Sequence, residues 1–120
     1  MKPPDACQRK AVAAARASFR RLMRAKAYAQ ALGRLEPLLQ QCGALIWWLD
    51  AYRIRNELAL VNYKLGRTGE CQRVLQPLVH YATLPPEKLR ERFAPIDAEM
   101  FYPELKATRL TLKLCNANQR

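Results

Sequence analysis

The sequence predicts an all-α fold: two tandem helix-turn-helix hairpins, over about 6–42 and 47–82, with carboxy-terminal capping helices over about 87–116. Three observations carry this. Apolar residues recur at helical spacing, as in Ala51, Ile54, Leu58, Val61 and Leu65. No stretch alternates apolar and polar residues between hairpin-turn signals, so no strand is expected. Residues 31–39, ALGRLEPLL, also match residues 71–79, CQRVLQPLV, with Leu35/Leu75, Pro37/Pro77 and Leu38/Leu78 identical at an offset of 40. Proline inside a helix costs ~3 kcal/mol, so its return at one helical address marks a repeated unit.

Each element has a local reason. Asp5 can cap a first helix over about 6–26, in which Val12, Ala15, Phe19, Leu22 and Met23 share one face. The second helix covers Tyr28–Cys42 and stops at Gly43, which tolerates the left-handed conformation that ends helices. The third stops at Gly66. A fourth runs from Gly69 or Glu70 to about Tyr81 and buries Cys71, Val74, Leu75 and Leu78 before Pro85 and Pro86. A short helix over Glu87–Phe93 follows. Pro95 then opens the last unit, whose stripe is Phe101, Leu105, Thr108, Leu112 and Cys115, with Pro103 expected only in a first turn.

Composition narrows the class. A chain of 120 residues makes one domain with a real core. With 50% apolar residues and four glycines it is neither disordered nor collagen-like, and no apolar run approaches the ~18 residues of a membrane span. Cys7, Cys42, Cys71 and Cys115 contain no C-x-x-C, and His80 is the only histidine, which argues against zinc; no metal site and no cofactor are expected. The four are either two disulfides, in one of three connectivities, or buried thiols. Met1 to Asp5 lack the regions of a secretory signal and read either as a cytosolic start or as a mature chain given a methionine.

The repeated unit resembles tetratricopeptide repeats. Leu58, Ala59, Asn62, Gly66, Cys71, Leu75 and Leu78 sit where that family places its packing residues and turn glycine, and Phe19, Leu22, Lys26, Tyr28, Ala31, Leu35 and Leu38 keep the spacing with lysine at the turn. The likeness covers about residues 12–82. It departs from the family in a period of 40, in Leu22 and Asn62 at the aromatic position, and in a proline inside the second helix. It implies an α-solenoid with a terminal capping helix.

Antiparallel hairpins place the start of one helix beside the end of the next. Cys7–Cys42 and Cys71–Cys115 are therefore the expected bridges, and with them a periplasmic or secreted location; the alternative is a cytoplasmic protein with four buried thiols.

No phosphate loop, nucleophile motif or paired histidine points to catalysis, so an enzyme is not expected, and His80 beside Tyr81 reads as a packing or capping residue. Charge is more informative. The net is +11, of which residues 1–42 hold +7 and the two later thirds +2 each. Arg9, Arg16, Arg20 and Arg24 fall within about 80° of one another on a helical wheel. In a tetratricopeptide-like fold the exposed positions of the first helices line a groove, which the resemblance assigns to Arg16, Arg20 and Arg24 and to Asn56, Leu60 and Lys64. Trp47, Trp48 and Tyr52 open the third helix, and adjacent tryptophans cannot share one face; Trp48 and Tyr52 are carried as candidate partner contacts. The expected function is a non-enzymatic module whose basic face binds an acidic protein or peptide, such as an exported assembly, inhibitor or immunity-type protein. The rival expectations are a nucleic-acid-binding protein and a self-associating structural subunit.

Overall fold

The computed structural model describes residues 4–117, which are helical with no strand among them; Met1–Pro3, part of the start weighed above, lie outside. The helices are α1 (Arg9–Arg24), α2 (Tyr28–Cys42), α3 (Trp48–Lys64), α4 (Thr68–Ala82), α5 (Pro86–Arg92) and α6 (Pro95–Ala117), with 3-10 turns at Asp5–Cys7 and Gly43–Leu45. The first helix begins later than the expected residue 6. Gln8 is extended at φ −73° and ψ 155°, which separates the 3-10 turn from α1.

The turns and second helices of the two hairpins correspond at an offset of 40. Both second helices have fifteen residues, Tyr28–Cys42 and Thr68–Ala82. Both turns close the same way: the Lys26 and Ala27 amides donate to the Met23 and Leu22 carbonyls, and the Gly66 and Arg67 amides donate to those of Tyr63 and Asn62. This double closure requires a left-handed residue after the helix end. Gly66 takes it at φ 77°, while at the first turn Lys26 takes it at φ 58°.

Three prolines lie inside helices: Pro37 in α2, Pro77 in α4 and Pro103 in α6. The last corrects the expectation that Pro103 belongs to a first turn, because α6 already starts at Pro95. All three are exposed, so the carbonyl that loses its donor lies on the solvent side, where water can replace it.

One core lies within the hairpins around Val12, Phe19, Ala31, Leu35, Ile54, Leu58, Ala59, Val61, Val74 and Leu75. A second joins Leu49 of α3 and Leu78 of α4 to Leu89, Phe101 and Leu105 of α5 and α6. Helix α6 runs beside α3 and crosses back along α4: Asn56 bonds to α6 at Glu104 and Thr108, whereas Gln72 meets Asn116 and Arg109 meets the Ala82 carbonyl. It covers the open side of the second hairpin. The cysteines pair as the antiparallel geometry requires, Cys7 with Cys42 and Cys71 with Cys115, at Cα–Cα distances of 5.6 and 6.0 Å.

Two outcomes follow. A side chain added at Gly66 would meet nothing within 4 Å, so Gly66→Lys costs only its backbone strain, about 1 kcal/mol in urea unfolding. Lys26→Gly gains less than that, because glycine also loosens the unfolded chain. The bridges close loops of 35 and 44 residues. Alkylation and intact mass of the oxidised protein should find no thiol, and each bridge opened should cost about 4 kcal/mol of stability.

Candidate functional site

Helices α1, α3 and α6 lie side by side and present their polar positions to one another. Between α1 and α3, Arg16 Nε is 2.6 Å from Glu57 Oε1, its Nη1 is 4.0 Å from Asp50 Oδ1, and Arg20 Nη1 is 3.9 Å from Glu57 Oε2. Between α3 and α6, Arg53 Nε reaches Glu104 Oε1 at 3.2 Å while its Nη1 reaches Asp50 at 3.2 Å. The Asn56 side-chain amide donates to the Glu104 carbonyl at 2.9 Å, and its oxygen accepts from the Thr108 hydroxyl at 2.7 Å. Three guanidinium groups therefore meet three carboxylates across one face.

This network divides the expected groove residues into two groups. The Arg16 side chain is only 18% exposed and Asn56 is buried; both are occupied in joining helices, and Leu60 is half-buried. The Arg20 side chain is 49% exposed and keeps one long ionic contact, whereas Arg24 and Lys64 are exposed with no ion pair among the described residues. Trp48 and Tyr52 are elsewhere. Trp48 stacks on Phe93 with ring centroids 5.6 Å apart, and Tyr52 stacks on Phe101 at 5.1 Å, within an aromatic cluster that also holds Tyr81. The tryptophan beside the arginines is Trp47: the Arg9 guanidinium lies 4.2 Å from its ring centroid and that of Arg53 5.9 Å.

Exposed cations gather at one end. Antiparallel pairing brings the turn of each hairpin to the same edge, where Arg20, Arg21, Arg24 and Lys26 of the first stand with Lys64 and Arg67 of the second, all exposed. The chain has no acid between Asp5 and Glu36 or between Glu57 and Glu70, and Glu70 itself is bound by Arg73 at 2.8 Å. A helical wheel does not single out Lys26 and Arg67, which belong to turns, or Arg21, which lies in α1 off the Arg16–Arg20–Arg24 face. Their signal was the acid-free interval around each turn.

The arrangement offers many donors and positive charge rather than a reactive group. Among the described residues no three His, Cys, Asp or Glu side chains are placed to hold a metal ion, and no helix is long and apolar enough to cross a membrane.

Glu57 supplies a pH signature. Burial raises its pKa above the ordinary 4.5, and the hydrogen bond and charge of Arg16 only partly oppose this. A raised native pKa means that the folded state holds this proton more tightly than the unfolded one, so the stability it contributes is present below pH 4.5 and is lost as pH rises through the native value. Wild-type unfolding free energy, taken relative to Glu57→Gln at each pH in urea titrations, should therefore fall upward from that point; a rise would reverse the assignment. Comparison of the chain with protein-family models, with curated proteins and with solved structures returns no match.

Proposed function

We propose that this protein is a non-enzymatic interaction module, a divergent tetratricopeptide-like array working in an oxidising compartment outside the cytoplasm, that captures an acidic protein or peptide on the edge formed by its two hairpin turns. The observation that supports the reading is the placement of six exposed cations, Arg20, Arg21, Arg24, Lys26, Lys64 and Arg67, on that edge, where among the described residues the one carboxylate contact is the long one from Arg20 to the partly buried Glu57. The carboxylates of Asp50, Glu57 and Glu104 are engaged in holding helices together. Exposed cations in a row steer and orient an acidic partner while each contributes little affinity alone. Bridges joining Cys7 to Cys42 and Cys71 to Cys115 support the compartment, since structural disulfides persist in oxidising surroundings.

The partner surface therefore differs from the whole arginine ridge of α1. Arg20, Arg24 and Lys64 belong to it, and Arg16 and Asn56 hold the scaffold.

The test uses a fluorescent glutamate-rich decapeptide and a mixed-sequence DNA duplex of similar length. The double variant Arg24→Glu/Lys64→Glu should keep the wild-type melting temperature and lose about tenfold in peptide affinity, or ~1.4 kcal/mol. Lys88→Glu, on α5 and away from this edge, should leave peptide binding unchanged. Tighter binding to the duplex, with a steep decline as salt rises, would replace the acidic protein by nucleic acid as the partner.

A further inference from the structure

A cleft of about 460 Å³ lies over α3 between the end of α2 and Pro77 of α4. Its floor is Trp48, Ala51, Tyr52 and Arg55, which occupy positions i, i+3, i+4 and i+7 and so share one face of α3. Leu39 and Ile46 add apolar wall, and Gly43 and Ala44 form one end. The volume is that of a ligand site, and the lining is apolar and aromatic with one charged group.

That group is Arg55. It is half-buried, and among the described residues its hydrogen-bond partner is the Val74 carbonyl, 3.1 Å from Nη1. This uses one of five guanidinium donors and neutralises no charge. No carboxylate lines the cleft, and among the described residues Arg55 makes no ion pair. Its burial and then the neighbouring cation Arg73 lower its pKa, and Tyr52 only partly opposes this. A cation held in apolar surroundings without an anion is costly, and a bound carboxylate relieves the cost by a bidentate contact.

We propose that this cleft binds the carboxy-terminal end of a peptide that finishes in an apolar or aromatic residue, with the terminal carboxylate on Arg55 and the side chain against Trp48, Ala51 and Pro77. The cleft's length favours a chain end. From Trp48 to Arg55 the helix advances about 10 Å, which matches three extended residues of about 3.3 Å each. A chain anchored at Arg55 thus passes over Ala51 and leaves across Gly43 and Ala44. The site lies away from the basic edge and does not depend on it.

The probes are N-acetyl-Leu-Ala-Phe as free acid, the same peptide as its carboxy-terminal amide, and 3-phenylpropionate, each titrated into isotope-labelled oxidised protein by NMR. The free acid should shift the backbone signals of Ala44, Ala51 and Arg55 and bind about tenfold more tightly than the amide. Arg55→Gln should bring the acid down to the level of the amide. Ala51→Leu, which fills the floor and leaves the guanidinium in place, should weaken both and provides the test if Arg55→Gln does not fold. Equal binding of acid and amide, shifts confined to Arg24 and Lys64, no shifts at all, or 3-phenylpropionate binding as tightly as the tripeptide would each overturn the proposal.

Discussion

The fold depends on burying α3 around much of its circumference. Leu49, Ile54, Leu58, Ala59 and Val61 go into the two cores, and Asp50, Asn56 and Asn62 are buried with them. A helix enclosed in this way cannot leave its polar groups to water. Each needs a partner from a neighbour, so α1 must bring Arg16 and α6 must bring Glu104 and Thr108 to the matching heights. Asn62 meets the demand only in part and within its own helix: its amide donates to the Leu58 carbonyl at 2.8 Å, while its buried side-chain oxygen accepts no hydrogen bond among the described residues. Apolar packing supplies most of the cohesion, and these directional contacts fix which turn of one helix sits beside which turn of the next.

The same demand decides where the excess charge is free. Arginines opposite the buried acids of α3 become part of the scaffold, and those one or two turns farther along, past the last carboxylate, remain open to a partner. A net charge is thus a poor guide to a surface until the internal pairs have been set aside. The aromatic cluster behaves alike: Trp48, Tyr52, Tyr81, Phe93 and Phe101 pack at centroid distances between 5.1 and 6.2 Å, and Trp48 and Tyr52 also line the cleft that contains Arg55.

Local rules made much of this legible. Helical spacing, Gly43 and Gly66 as terminators, and the returning Leu-x-Pro-Leu segment are each settled within one or two turns, and antiparallel hairpins left the cysteines one economical pairing. What escaped was non-local. Glu57 and Glu104 lie 41 and 51 residues from the arginines they bind, so a wheel drawn for α1 alone could place Arg16 on the right face without showing that the face was occupied. The choice between Trp47 and Trp48 depends on the register of α6, whose Phe101 claims Trp48. Pro103 was assigned a first turn because the cost of an interior proline falls on a carbonyl, and burial of that carbonyl cannot be read before the helix is placed. Asp5 caps no helix, since it lies within the 3-10 turn, and the extended Gln8 delays the start of α1 to Arg9.

The two bridges also divide the chain into protected and unprotected lengths. Cys7–Cys42 closes off nearly all of the first hairpin and Cys71–Cys115 closes off α5 and most of α4 and α6, so a backbone cut within either span leaves the fragments joined. Only residues 43–70, which contain the whole of α3, lie between them. Under tension applied at its two ends the oxidised chain can span there at most roughly 95 Å, at about 3.4 Å per residue, before the load reaches covalent cross-links. The most enclosed helix of the molecule is thus also its mechanical fuse.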